Sequence, residues 1–185
     1  THSHRLTSLN DLALLYNNQG RYTEAESILS RVFDIRKQLL GEEDPETLKA
    51  LNNLAIIYHS QGRFNEAEPL FQKIISISEK ILGATHINTL TTCENLGVVY
   101  HRQGKYKESE DLYIHTLELS KQTRGEEHTR TLNLLVGLAL LYRDQGRYDE
   151  TEPIFHQVIQ ANDRLLGRER HFLFRFSNLK KEPLV

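Results

Sequence analysis

Between residues 48 and 58 the apolar positions step by three and four: Leu48, Leu51, Leu54, Ala55 and Tyr58. That spacing lays them along one stripe of an α-helix buried on one side. Asp44 followed by Pro45 suits its start, an N-cap and then a proline whose missing N–H would have had no partner there. Gly62 stops the helix by accepting left-handed backbone. A second helix opens with Asn65, Glu66 and Glu68 and carries Ala67, Leu70, Phe71, Ile74, Ile75, Ile77, Ile81 and Leu82 before Gly83. The corresponding stretch upstream, Thr23 to Glu26, has the spacing of a capping box. Pro69 and Pro153 fall near the starts of their helices, where a lost donor costs least. No segment alternates with period two, so strands are not expected. Mid-helix, two poor helix formers stand side by side, Asn52 and Asn53.

This hairpin pattern recurs. Gln-Gly stands at 19–20, 61–62, 103–104 and 145–146, and a second glycine series at Gly41, Gly83, Gly125 and Gly167 keeps the same 42-residue interval. Superposed, the four copies share eight identical positions, among them Tyr16, Tyr58, Tyr100 and Tyr142. The array divides into 1–40, 41–82, 83–124 and 125–167, so residues 1–167 hold four repeats. A lone hairpin cannot bury two apolar stripes, so neighbouring copies must stack. Ala13, Ala55, Gly97 and Ala139 recur where a first helix presses on its second, and Ala25, Ala67, Ser109 and Thr151 sit on the facing helix. Small side chains there permit close approach, with Tyr22, Phe64, Tyr106 and Tyr148 filling the adjoining space.

Composition narrows the function classes. At 38% hydrophobic and 26% charged the chain is that of a soluble domain, with no apolar run of membrane-spanning length and no signal-peptide pattern. A single cysteine, Cys93, allows no internal disulfide, which fits a reducing, cytoplasmic setting. The absence of methionine and the start at Thr1 suggest a piece of something longer. From Arg168 onward there are five Lys or Arg against two Asp or Glu, leaving the rest near −5. A mildly acidic body argues against nucleic acid and against an anionic membrane surface.

The 42-residue period alone does not separate the helical repeat types. The order Leu54-Ala55, Tyr58, Gly62, Phe64, Ala67, Phe71 resembles the tetratricopeptide signature. With "LNNLA", "QGRFNEAEPL" and "LGEEDPETL", the array looks like the 42-residue variety of kinesin light chains. Two features depart from that pattern: the proline after the loop histidine is replaced at His86-Ile87 and His128-Thr129, and the double asparagine is intact only in the second copy.

The resemblance implies an all-α fold, a right-handed superhelix (α-solenoid) of four helix-turn-helix repeats. It also implies that first helices line a concave groove that holds an extended peptide. The residues then expected in the groove are Asn10, Asp11, Leu14, Asn17 and Asn18 in the first copy, and Asn52, Asn53, Ile56, His59 and Ser60 in the second. The third copy would supply Glu94, Asn95, Val98, His101 and Arg102, and the fourth Val136, Gly137, Leu140, Arg143 and Asp144. An asparagine amide both donates and accepts, as a peptide bond does, and can hold a backbone without reading its side chains. Asn53 and Asn95 match the family's peptide-contacting asparagines best. Leu14, Ile56, Val98 and Leu140 share one position that could floor a pocket for an apolar anchor, or simply pack on a neighbouring helix. His59, His101, Arg102 and Arg143 form a weakly basic strip favouring an acidic peptide, diluted by Asp11, Glu94 and Asp144.

Catalytic signals are absent: no Gly-rich phosphate loop, no His-Glu-x-x-His helix, no Cys-x-x-Cys. No metal or cofactor is expected. Cys93 is in register with Leu9, Leu51 and Leu135 and reads as packing. His2, His86 and His128 sit a full repeat apart and read as loop or capping residues. The recurring acids at Glu24, Glu66, Glu108 and Glu150, and at Glu26, Glu68, Glu110 and Glu152, fall in first turns favoured by the helix dipole. Residues 168–185 break register, and Phe172, Phe176 and Leu179 share one helical face, so the segment reads as a cap; the alternative is a tail that docks in a groove. The chain is thus expected to be a non-catalytic interaction module, an adaptor or cargo-binding domain for a protein or peptide partner. The alternatives are a structural or self-associating spacer with an unused groove, and a regulatory sensor arm of a larger signalling NTPase.

Overall fold

The computed structural model describes residues 2–166. Eight helices form four hairpins: α1 (His2–Asn18) with α2 (Tyr22–Leu40), α3 (Pro45–Ser60) with α4 (Phe64–Leu82), α5 (Ile87–Arg102) with α6 (Tyr106–Arg124), and α7 (Thr129–Asp144) with α8 (Tyr148–Leu166). The described residues contain no strand and no helix long and apolar enough to cross a membrane. The fold is all-α and built of repeated hairpins. The chain divides into two compact units, Thr1–Leu112 and Tyr113–Val185, the division falling inside α6. The segment 168–185, expected to cap the array, lies outside the described residues.

Helix ends follow the sequence signals in part. The Asp44 carboxylate accepts from the N–H groups of Glu46 and Thr47 at 2.9 and 3.4 Å. His86 and His128 take its place in the next two copies, each Nδ1 accepting a backbone N–H at 3.2 Å, from Asn88 and Arg130. The capping box expected at Thr23–Glu26 does not form. The N-cap of α2 is Arg21, with no side-chain cap bond, and Glu26 accepts instead from Gln61 and Arg63 of the next hairpin, at 3.0 and 2.7 Å.

In the first unit every core cluster spans a junction. Leu54 and Ile57 of α3 pack with Ala13, Ala25 and Leu29 of the preceding hairpin. Leu96 and Val99 of α5 join Leu51, Ala55, Ala67, Phe71 and Ile74 in the same way. Each such fully buried side chain contributes about 1.5–3 kcal/mol, and a hairpin without its neighbour would forgo it. The small residues lie where expected: Ala13, Ala25, Ala55, Ala67, Ser109 and Ala139 have no exposed surface. The Ser109 hydroxyl donates to the Gly97 carbonyl at 2.8 Å, which sets how closely α5 and α6 approach. The aromatic filler is less uniform, for Tyr148 is more than half exposed.

A polar ladder runs beside the apolar seam. Gln61 and Arg63 hold Glu26, while Gln103 and Lys105 hold Glu68 at 2.9 Å and at 2.7 and 2.9 Å. Each turn cation also lies near its own hairpin's tyrosine, Arg63 at 4.3 Å from the Tyr58 ring centre and Lys105 at 5.5 Å from that of Tyr100. Arg63 and Arg147 pair as well with Glu66 and Glu150 three residues on. Glu24, Glu26, Glu66, Glu68 and Glu150 therefore each meet a specific cation, in addition to the helix dipole that the sequence suggested.

In the second unit Tyr113 is the largest fully buried side chain. Gly137, expected to face the groove, lies against it: a Cβ there would stand 2.8 Å from the Tyr113 ring. Replacing Gly137 by alanine gains up to about 1 kcal/mol of helix propensity, but overpacking against the buried Tyr113 ring costs about 1–3 kcal/mol. Gly137→Ala should therefore lower the thermal midpoint, measured by circular dichroism; an unchanged or raised midpoint would show that the ring yields.

Candidate functional site

Within the first unit the N-terminal halves of α3 and α5 flank a cleft of about 430 Å³, with α4 behind it. Asn52, Asn53 and Lys49 line it from α3, Asn88, Thr91 and Thr92 from α5, and Ile74, Ser78 and Leu82 from α4. The cleft joins apolar side chains to amides, hydroxyls, one ammonium and one carboxylate, Glu46, which pairs with Arg36 at 2.9 Å. Lys49 is exposed and makes no ion pair among the described residues. Of the expected groove residues only Asn52 and Asn53 belong to this cleft. The face extends one turn further towards the helix N-termini than the sequence reading placed it. Lys49 lies three residues before Asn52, on the same side of the helix, and that spacing could have found it.

Two of the expected contacts have another task. Asn10 is 1% exposed and Asn53 is 7% exposed, and the Asn53 Nδ2 donates to the Asn10 Oδ1 at 2.8 Å. This bond ties α1 to α3 from within. Asn10 is therefore withdrawn from any open face, because it is covered by the neighbouring helix that it bonds. Asn52, the other half of the pair, is half-buried and its Oδ1 has no partner among the described residues.

Three more polar atoms on the first helices share that condition, Asn17 Oδ1, Thr47 Oγ1 and His59 Nε2. Asn17 and His59 occupy the same register position in successive copies. Buried polar atoms normally find partners; of these four, Thr47 is fully buried in the stack, and the half-buried Asn17, Asn52 and His59 reach the surface of the first helices. Leu14, Ile56 and Val98, also in one register, are half-buried, and Ile56 packs against the α3–α5 core. Asp11 and Arg102 are exposed, and Glu94, Asn95 and His101 half-buried. In the second unit Leu140 and Arg143 are half-buried.

The expected basic strip is weaker than its composition. Burial, helped by the Arg102 guanidinium, pushes the His59 ring below the ordinary histidine range, so it is neutral at neutral pH. Arg143 pairs with Asp144 at 2.8 Å. At the turns, burial opposes the charge of Glu68, but Lys105 and Gln103 donate to it and hold its carboxyl below the usual range.

Comparison with known proteins agrees with the hairpin geometry. A tetratricopeptide repeat profile matches residues 4–80, 50–122 and 88–163. The chain belongs to the tetratricopeptide repeat family. No curated protein matches it. Among solved structures it is similar to BtubC (BKLC) from P. vanneervenii, with a TM-score of 0.78 at 18% identity over 90% of this chain and 66% of that one. It is also similar to the apo form of RapI, with a TM-score of 0.73 at 16% identity over 87% of this chain and 57% of that one. The tetratricopeptide chain thus spans under two thirds of either protein's length. A weaker likeness, TM-score 0.48 at 22% identity over 90% of this chain and 98% of the other, is to a Podosopora anserina putative kinesin light chain with nearly identical TPR-like repeats. Tetratricopeptide arrays are protein-interaction modules, generally without catalytic activity of their own.

His59 makes the acid side of the stability curve informative. A folded-state pKa below the unfolded value of about 6.5 favours the fold while the ring is neutral. That contribution is present above the unfolded value and is lost as pH falls through it towards the folded one. Between pH 7 and pH 5 the wild-type thermal midpoint should fall further than that of His59→Gln. Equal falls would show that His59 plays no part in acid sensitivity.

Proposed function

We propose that the first-helix face, centred on the cleft between α3 and α5, binds an extended peptide segment of a protein partner. The module would then serve as an adaptor or cargo-binding domain. The observation that carries this reading is the set of polar atoms without a partner among the described residues: Asn52 Oδ1 on the cleft, and Asn17 Oδ1 and His59 Nε2 (an acceptor when the ring proton is on Nδ1) further along the first helices. A backbone N–H offered by a ligand would satisfy such acceptors, and the energy of leaving them unmade favours occupancy. An extended strand fits better than a compact ligand, because the acceptors are spread over more than one helix and a strand presents a donor at regular intervals. The cleft carries one cation, Lys49, and one carboxylate, Glu46, already paired with Arg36, so an acidic residue in the peptide is a secondary preference; Ile74 and Leu82 give an apolar anchor its floor.

Asn53 is the wrong residue with which to test this reading, since its loss would leave the Asn10 amide buried without its donor and cost about 1–3 kcal/mol of stability. Asn52→Ala combined with Lys49→Ala removes an acceptor and a charge from the cleft without touching that bond. Peptides should be selected from a random display library on the wild-type chain, and their affinities measured by calorimetry. The double variant should bind about tenfold more weakly or worse, the equivalent of about 1.4 kcal/mol, with an unchanged helical signal. Equal affinity in both proteins would place binding elsewhere. Asn53→Ala should instead lower the thermal midpoint, a result that separates the structural amide from the recognition amide.

A further inference from the structure

The cleft between α3 and α5 has a counterpart one repeat earlier, and there it is filled. Arg36 of α2 is 3% exposed. Its guanidinium donates to the Glu46 carbonyl oxygen and pairs with the Glu46 carboxylate, both at 2.9 Å. An arginine of this chain thus closes the space between α2 and the first turn of α3. One repeat on, Ser78 stands in the register of Arg36 and Asn88 in that of Glu46. Both line the cleft, with Ile74 and Leu82 one turn to either side of Ser78 on α4. The long side chain and its carboxylate partner are exchanged together for short, uncharged ones, and the cleft lies at the positions that pair occupies one repeat earlier.

Most polar groups left around it are acceptors. Thr91 and Thr92 each have one hydroxyl proton, and each gives it to a carbonyl of α5, that of Ile87 at 2.7 Å and that of Asn88 at 2.8 Å. Their oxygens can then only accept. Asn52 Oδ1 has no partner among the described residues. Glu46 meets Arg36 through Oε2, and a carboxylate has acceptor capacity beyond one such contact. Lys49, the one ammonium of the lining, is exposed on a flexible stem that lets it stay in water.

We propose that the side chain seated in this cleft is an arginine of the partner peptide, in the place that Arg36 fills in the junction before. The proposal rests on the reading of the cleft as a peptide site and names its anchor. The apolar stem of the arginine lies against Ile74 and Leu82, and its planar head brings five N–H donors and no acceptor to a set of acceptors. A lysine brings its donors at one point and cannot serve both helices; an acidic side chain brings only acceptors. An acid beside the arginine in the peptide meets Lys49 on the rim.

Peptides selected on the intact chain, and weakened by Asn52→Ala with Lys49→Ala, decide it by calorimetry. They should share one arginine. Replacing it with lysine or with uncharged citrulline should weaken binding by about tenfold or more. Ser78→Arg combined with Asn88→Glu plants the Arg36–Glu46 pair in this junction; that chain should keep its helical signal and lose the peptide. Cleft-bound peptides without a shared arginine, or with one that citrulline replaces at no cost, would overturn the anchor and leave the peptide site standing. Full affinity in the folded Ser78→Arg/Asn88→Glu chain would overturn the anchor as well. Should that chain not fold, the citrulline comparison, which alters only the peptide, still decides. Peptides indifferent to Asn52→Ala with Lys49→Ala would overturn the site and the anchor together.

Discussion

A hairpin of two helices with two apolar stripes can cover only part of them by itself, and everything else in this structure follows from how the remainder is covered. In the first unit each first helix lends its apolar side to the hairpin before it, Leu54 and Ile57 to one and Leu96 and Val99 to the next. A lone hairpin has no complete core, so the repeat is the wrong unit in which to count stability, and the junction is the right one. Register is kept by polar groups at its edge. The Gln-Gly-Arg/Lys turn reaches back to a glutamate 35 or 37 residues earlier, which a slipped pairing could not do. Surface pairs of this kind add little each, and their value here lies in fixing which position meets which.

The hairpin pattern was legible because two independent periods coincide in the sequence, the three-four step inside a helix and the 42-residue return of glycine. The small residues Ala13, Ala25, Ala55 and Ala67 announced close helix approach, and helices pack there with no surface left exposed. The acids were misjudged. A glutamate in a first helical turn satisfies the dipole argument whether or not a cation from another repeat is present, so the local rule could not distinguish the two. The Thr23–Glu26 spacing misled for a similar reason: the helix starts two residues earlier than the box requires, at Tyr22.

The asparagines show a harder limit. Asn52 and Asn53 are adjacent, identical in chemistry and equally unfavourable in a helix, and both touch the cleft, yet Asn52 keeps its carbonyl oxygen unpartnered among the described residues while Asn53 is buried and tied to Asn10 within the stack. Neighbouring residues on a helix point about 100° apart, enough to separate a recognition face from a packing face, and sequence spacing does not show where the boundary falls. Gly137 lies in the register of Asn53 and is likewise taken up by packing, against Tyr113. The position that carries the buried amide in the second copy is thus taken up by packing in the fourth as well, while Asn95 at the same register is half-buried and Asp11 exposed. Charge was misleading too: histidines counted as a basic strip, but burial keeps His59 neutral.

The central claim is that the partner lies across the first helices, over the cleft between α3 and α5. A photo-crosslinking side chain placed at Lys49, on the rim, and separately at Ser76, an exposed position of α4 outside the cleft, tests it most directly with a peptide selected on the intact chain. The account predicts a crosslink from position 49 and none from position 76. Capture from position 76 alone, or equally from both, would contradict it.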